Sequence, residues 1–147
     1  MACRIVSMPI DCTDAATLAR FWAEVLGWEV TSSGWQRTEH GPDGVSIAPP
    51  DGTPFAIDFR WTPDPKRTKN RVHLDLNPTD RDQPAELDRL LALGARPVDV
   101  GQRAESTWHV LADPEGNELC LCRARVEPSS RQAGAGSTQN SLPEGSV

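Results

Sequence analysis

The stretch DPEGNELCLC, residues 113–122, decides the fold of this 147-residue chain. Its first four residues, Asp-Pro-Glu-Gly, have the composition of a tight turn, because proline presets the backbone and glycine accepts a positive φ. Residues 118–122 then follow as a strand, in which Glu118 and Cys120 share one face because successive side chains alternate. The sequence therefore predicts a turn and a closing strand, one face of which can line a pocket.

Upstream of this strand, the same order of elements occurs twice. A strand at residues 5–10 precedes a helix that begins at Thr13 or Asp14, the N-cap candidates, and ends at Gly27. The apolar residues of this helix repeat at helical spacing and form one face: Leu18, Phe21, Trp22, Val25 and Leu26.

The second occurrence begins with a strand at residues 72–76 and continues with a helix at residues 84–93 that ends at Gly94. We expect Leu87, Leu90 and Leu91 on its inner face, and further strands at residues 96–98, 108–111 and 118–122. A repeated supersecondary unit usually means that each copy buries its apolar face with help from the other. Two unrelated helices that each end in glycine are the alternative.

Composition limits the partners that the chain can have. The formal net charge is −6, which argues against a general nucleic-acid binder, because such proteins need a basic surface to neutralise phosphates. No window approaches the ~20 apolar residues of a membrane span, and the first residues lack the long apolar region of a signal peptide. We therefore expect a cytoplasmic protein with no membrane or nucleic-acid partner.

The four cysteines are Cys3, Cys12, Cys120 and Cys122, with no CxxC pair, so we expect free thiols rather than a structural zinc site of the usual kind. From residue 127 onward the chain is rich in Ser, Gly, Gln and Asn, which predicts a disordered tail at residues 127–147. The folded domain is expected at residues 1–126, with its two repeated units at about residues 3–62 and 70–124.

Residues 3–123 resemble the vicinal oxygen chelate superfamily, which includes glyoxalase-like, bleomycin-resistance-like and dioxygenase proteins. The segments that carry the resemblance are IDCTDAATLARFWAEVLGWEV, NRVHLDL, LLALGARPV and DPEGNELCLC. The resemblance implies an α+β fold of two βαβββ modules, with a curved mixed sheet around a pocket and helices on the outer face. It also implies a homodimer, which would be two-fold symmetric.

The resemblance implies four positions for metal ligands, and they fall at Ser7, Asp58, His73 and Cys120. Serine is a poor ligand for a divalent metal, and cysteine stands where glutamate is usual, so an altered or absent metal centre is expected. One divalent ion (Zn, Ni, Fe or Mn) held by Asp58, His73 and Cys120 is the alternative. Cys120 is either a small apolar filler or, if His73 lowered its pKa, a nucleophile.

The expected pocket combines these positions with aromatic walls. His73 either contacts a ligand, acts as a general base, or is a strand histidine satisfied by Asp75 or Arg71. Trp35, Trp61 and Trp108 are candidates for the pocket wall, whereas Trp22 and Trp28 are expected in the core. The expected ligand-binding residues are Ser7, Trp35, Asp58, Trp61, His73, Trp108 and Cys120.

Three functions follow from this pattern. The first is metal-free binding or sequestration of an aromatic or amphipathic small molecule. The second is a metal-dependent lyase or isomerase acting on a small oxygenated metabolite. The third is a metal-free isomerase or cyclase that uses His73 as its base.

Overall fold

The computed structural model describes residues 2–33, 37–39 and 41–128. Trp35 and nearly all of the expected tail lie outside these residues. The elements in chain order are β1 (Ser7–Cys12), α1 (Ala15–Leu26), β2 (Glu29–Ser33), β3 (Arg37–Thr38), β4 (Gly41–Pro42), β5 (Gly44–Ala48), β6 (Ala56–Trp61), β7 (Leu74–Leu76), α2 (Gln83–Leu93), β8 (Arg96–Pro97), β9 (His109–Ala112) and β10 (Glu118–Leu121).

The strands form two mixed four-stranded sheets with the same internal order. The first has the order β1-β6-β5-β2 and the second β7-β10-β9-β8, while β3 and β4 form a separate two-stranded ribbon. In each sheet the first strand of the unit runs parallel to the last and the other neighbours are antiparallel. The α+β class and the two βαβββ modules are therefore confirmed, with one sheet for each module.

Strand β1 begins two residues later than the sequence predicted. Its register with β6 starts at Ser7, opposite Ala56, so Ile5 and Val6 precede the parallel pair and are 78% and 62% exposed. Strand β7 likewise begins at Leu74, where its register with β10 starts opposite Leu119. In both modules the apolar pattern extends beyond the paired residues.

Both helices begin and end at the residues that their capping chemistry indicates. The Asp14 side chain accepts a 2.9 Å hydrogen bond from the amide of Thr17, which confirms Asp14 as the N-cap of α1. Gly27 and Gly94 end the helices at φ 64° and 112°, a region in which only glycine is unstrained.

The inner face of α2 differs in one position from the prediction. Leu90 is fully buried, and Leu87 and Leu93 pack against the core. Leu91 is 36% exposed, so its assignment to the inner face was wrong. The buried face follows positions 87, 90 and 93, because the next helix position rotates by about 100° toward solvent.

Among the described residues, three hydrogen-bonded bridges join the two modules. Glu115, in the turn between β9 and β10, accepts from the Thr13 hydroxyl at 2.8 Å and from the amides of Thr13 and Asp14 at 3.1 and 2.9 Å. The Trp22 indole Nε1 donates to Asp113 Oδ2 at 3.1 Å. The module interface is thus part of the single core, which contains residues of both sheets.

The third bridge lies at the opposite end of α1. The Arg89 guanidinium donates to the carbonyls of Glu24 and Val25 at 3.0 Å each, and these carbonyls belong to the last turn of the helix, where the helix dipole favours a cation. Glu86 holds the same guanidinium at 2.6 Å. Arg89 of α2 therefore fixes the C-terminal end of α1, while Glu115 fixes its N-terminal end.

Neither described helix has the length and apolar character needed to cross a membrane. All four cysteines are free thiols. Burial, with help from the nearby carboxylates of Glu115 and Asp14, raises the pKa of Cys12 to about 12, so this thiol stays protonated.

Candidate functional site

A cleft of about 390 Å³ lies between β1 of the first module and the segment leading into β7 of the second. The apolar part of its lining comes from Met8, Ile10, Trp22, Val72 and Leu74. Asp11, Asn70, His73, Asn117 and Glu118 supply polar groups. The apolar residues come from both modules, because Met8 and Ile10 lie in β1 and Leu74 is the first residue of β7.

Trp22 contributes to this cleft and is held in place by a buried carboxylate. The tryptophan is 2% exposed and Asp113 is fully buried. Asp113 also accepts from the amides of Glu115 and Asn117 at 3.0 and 2.9 Å. Burial raises the pKa of Asp113, and the hydrogen bonds from Asn117 and Trp22 partly offset this effect. The orientation of the indole is therefore fixed from behind the cleft.

An adjoining recess of about 290 Å³ shares His73 and Glu118 with the cleft. Its lining adds Val110 and Cys120 from the second sheet, with Trp108, which is 44% exposed, at the rim. The two hollows together run from β1 across the start of β7 to β9. Of the predicted wall residues, Trp108 therefore lies beside His73 and Cys120.

Glu118 is engaged by two partners. Its Oε1 lies 3.0 Å from Lys66 Nζ, and its Oε2 accepts from the Asn70 amide at 2.9 Å. Burial alone would raise the Glu118 pKa, but the hydrogen bonds from Asn70 and Lys66 outweigh burial, so the pKa is lowered. Glu118 therefore ties the segment before β7 to β10 and carries a negative charge at the boundary of the two hollows.

His73, Asp75 and Cys120 form a compact group, which we call the β7–β10 cluster. One potential ligand atom from each residue lies within 4.8 Å of the other two, and His73 Nε2 is 3.4 Å from Asp75 Oδ1. Asp75 and Cys120 lie close together because they are register partners in the parallel strands β7 and β10. Sequence reasoning placed Asp75 beside His73, but it did not place Asp75 beside Cys120.

The Cys120 thiol lacks the activation that a nucleophile needs. It is 9% exposed, and burial together with the neighbouring Asp75 carboxylate raises its pKa. The hypothesis that His73 lowers this pKa is therefore wrong, because the thiol faces a negative charge as well as a histidine. At neutral pH Cys120 is a protonated, weakly nucleophilic group.

Three other predicted site residues, Ser7, Asp58 and Trp61, lie on the first sheet. Asp58, in β6, accepts a 2.7 Å hydrogen bond from the hydroxyl of Ser46 in β5 and is not part of the β7–β10 cluster. Ser7 is the first residue of β1 and Trp61 is the last of β6. Trp35 lies outside the described residues. The metal set of Asp58, His73 and Cys120 is thus distributed over both sheets.

A larger cavity of about 490 Å³ lies along α2 and the C-terminal end of α1. Three of its charged residues are already paired, since Glu86 contacts Arg89 at 2.6 Å and Arg81 at 3.3 Å. Arg89 also serves the module interface. We therefore assign this cavity a structural role and take the cleft and the recess as the candidate site.

The fold has many solved relatives. Fosfomycin resistance protein FosX from Mesorhizobium loti superposes with a TM-score of 0.62 at 12% identity, covering 90% of this chain and 99% of that one. A possible glyoxalase from Bacillus cereus gives 0.58 at 11% identity, covering 82% and 99%. TnmS3, an antibiotic binding protein from Streptomyces sp. CB03234, gives 0.50 at 19% identity, covering 82% and 95%.

At these identities the structural relatives share the fold alone. No curated protein matches the chain. Residues 7–122, which include both modules and the closing strand, match the family model described as a glyoxalase-like domain. The chain therefore belongs to the glyoxalase-like domain family of the vicinal oxygen chelate superfamily.

Proposed function

We propose that this protein binds a small molecule with an apolar, preferably aromatic, part in the cleft between β1 and β7, without converting it and without needing a metal to hold it. The observation that carries the proposal is the cleft of about 390 Å³, whose apolar lining residues Met8, Ile10, Val72 and Leu74 come from both modules. Ligand sites of small molecules typically measure about 300–1,000 Å³ and combine apolar walls with a few polar groups.

The polar groups of the lining indicate the charge of the ligand. Asp11 and Glu118 line the cleft, and Asp75 lies next to His73, one of its lining residues. Lys66 is already paired with Glu118, and Lys69 lines the recess. Because Glu118 and Lys66 neutralise each other, the remaining charges are Asp11 and Asp75 against Lys69. One negative charge is left near the cleft, which favours a neutral or cationic ligand over an anion.

The name of one structural relative supports a binding role. TnmS3 is described as an antibiotic binding protein. Sequestration of a compound by enclosure needs only a shaped cavity, whereas a metal-dependent reaction needs a complete ligand set. Of the metal ligands implied by the resemblance, Ser7 is a poor one, and Asp58 accepts a hydrogen bond from Ser46. Binding is therefore the function we favour.

The test uses a matched pair of exposed valines and the neutral dye N-phenyl-1-naphthylamine, whose fluorescence rises in apolar sites. Val72 lines the cleft and is 74% exposed, while Val30 lies on β2 and is 53% exposed. Val72→Arg should weaken dye binding at least tenfold, about 1.4 kcal/mol, and Val30→Arg should leave it within about twofold. Dye binding should persist in excess chelator.

Displacement of the dye identifies the ligand class. A panel of planar aromatic and amphipathic antibiotics is expected to compete with the dye, whereas fosfomycin, an anion, is expected not to compete. Equal loss of dye binding in both valine variants, or no saturable dye binding by the wild type, would contradict the assignment of the cleft.

A metal-free isomerase or cyclase is the second candidate, and the observation that favours it is the pairing of His73 with Asp75. A carboxylate 3.4 Å from Nε2 orients the imidazole, and a positioned histidine can transfer protons near neutral pH. Incubation of each dye-displacing compound with protein, followed by mass spectrometry and proton–deuterium exchange, separates the two candidates. Turnover or exchange that His73→Gln abolishes would favour the enzyme.

We also propose that two copies associate around a two-fold axis. Ile5 and Val6 are adjacent apolar residues that are 78% and 62% exposed directly before β1, and burial of such a pair against a second copy would remove them from water. Val6→Asp should shift the mass measured by light scattering from dimer to monomer, and Val30→Asp should not. A wild type that is monomeric at all accessible concentrations would exclude this association.

A further inference from the structure

The β7–β10 cluster keeps His73 and Cys120 of the metal set implied by the family resemblance but takes its carboxylate from a different residue, Asp75. Asp75 and Cys120 offer oxygen and sulfur donors from two adjacent strands of one sheet, and His73, directly before β7, offers nitrogen. The carboxylate is Asp75, whereas the position expected from the resemblance is Asp58, on the other sheet and hydrogen-bonded to Ser46. The cluster therefore belongs to the second module alone.

The separations between the donor atoms are close to those that a tetrahedral ion requires. Zinc bonds of about 2.0–2.3 Å place neighbouring ligand atoms roughly 3.3–3.7 Å apart. His73 Nε2 and Asp75 Oδ1 are 3.4 Å apart, and all three donor atoms lie within 4.8 Å of one another. Rotamer shifts of about 1 Å would therefore complete the first three bonds.

The exposure of the donors allows an ion to reach them. Cys120 is held by its strand and nearly buried, while the His73 and Asp75 side chains are 42% and 62% exposed. An ion can thus enter from solvent and contact His73 and Asp75 before it meets the sulfur of Cys120. His73 and Cys120 both line the recess, so the remaining coordination position faces that hollow.

We propose that His73, Asp75 and Cys120 bind zinc or a similarly thiophilic divalent ion, with the thiol proton of Cys120 released to solvent and the fourth position open to water or to a ligand atom in the recess. The donor set selects the ion, because magnesium and calcium prefer oxygen ligands alone, whereas zinc accepts cysteine, histidine and carboxylate together. Binding in the apolar cleft needs no metal, so zinc binding is a separate property of the neighbouring recess.

The test measures zinc affinity of the full chain by competition with a chromophoric chelator. Cys120→Ser, Asp75→Asn and His73→Gln should each weaken zinc binding by at least about 100-fold, since each removes a direct ligand. Asp58→Asn and Cys3→Ser are the matched controls, one replacing the other candidate carboxylate and one an exposed thiol. Both should stay within about twofold of the wild type.

Cobalt substitution gives a direct view of the sulfur ligand. The cobalt-loaded wild type should show thiolate-to-cobalt charge-transfer absorption, and Cys120→Ser should lack it. Because Asp75 is exposed, Asp75→Asn should fold normally, and it keeps the test decisive if the cysteine variant is unstable. Equal loss of affinity in Asp58→Asn and Asp75→Asn, or wild-type affinity no higher than that of Cys120→Ser, would overturn the proposal.

Discussion

Replacing Trp22 with phenylalanine should destabilise the fold by about 3 kcal/mol. The indole is 2% exposed and donates to a fully buried carboxylate at 3.1 Å. A hydrogen bond to a charged group contributes roughly 1.5–3 kcal/mol, and the void left by the smaller ring adds about 1 kcal/mol. Against a typical total of about 5–15 kcal/mol, this loss is large.

A double-mutant cycle with Asp113→Asn isolates the contribution of the bridge. Both single variants and the double variant are unfolded in urea at neutral pH, and the free energies are compared. Since the partners are in direct contact, the coupling energy should be about 1–2 kcal/mol. Asp113→Asn itself should be destabilising, because four donors from Trp22, Glu115 and Asn117 surround the two oxygens and the new amide can satisfy fewer of them.

Trp28→Phe is the matched control for this cycle. Trp28 packs edge-on against Phe55, with ring centroids 6.2 Å apart, and it is only partly buried. Its replacement should cost about 1 kcal/mol and should add to Asp113→Asn without coupling. A Trp22–Asp113 coupling below about 0.5 kcal/mol would refute the claim that this hydrogen bond joins the modules.

Three further predictions address the turn, the boundary of the site and a helix end. The Glu118 carboxyl has a lowered pKa in the fold, so it stabilises the protein above its unfolded pKa of about 4.5. The wild type should be more stable than Glu118→Gln by about 1–2 kcal/mol at pH 7. This difference should vanish as the pH falls through the pKa of Glu118 in the folded protein. Urea unfolding of both proteins at pH 7 and below that pKa measures it. Glu115→Ala should cost about 1–2 kcal/mol of stability, because three donors of Thr13 and Asp14 lose their acceptor. Amide hydrogen exchange should then become faster in the first turn of α1. Unchanged exchange there would contradict the claim that Glu115 fixes the N-terminal end of α1. Gly94→Ala should lower stability by about 1 kcal/mol or more from backbone strain alone, since φ is 112° and nothing lies within 4 Å of the added Cβ. The control Ala92→Gly, in the same helix, should cost no more than about 1 kcal/mol. If Gly94→Ala stabilised the protein, the positive φ assigned to residue 94 would be contradicted.

Local signals in the sequence were sufficient for the architecture. The caps at Asp14, Gly27 and Gly94 depend on residues within a few positions of each other, and so the helix ends could be predicted. The first strand was placed two residues too early, because its start depends on β6, whose pairing begins at Ala56. The error at Leu91 has the same origin, since the buried face of α2 depends on its neighbours as well as on its own pattern.

The candidate site could be predicted only in part, because its decisive contacts join distant residues. His73 and Cys120 were found from the closing strand and the strand at residues 72–76. Asp75 was recognised as a neighbour of His73, but its position opposite Cys120 requires the parallel register of β7 and β10. The role of Trp22 in the cleft was missed, since a buried tryptophan on an apolar helix face gives no sign that a cavity lies on its other side.

The turn that carries Asp113 and Glu115 belongs to the second module, yet its two carboxylates satisfy donors on the helix of the first. Neither module can therefore complete its hydrogen bonding by itself, although each has a full sheet order. The two halves should consequently unfold in a single cooperative transition. Peptides divided in the connection between β6 and β7 should remain largely disordered apart and should recover structure when they are mixed.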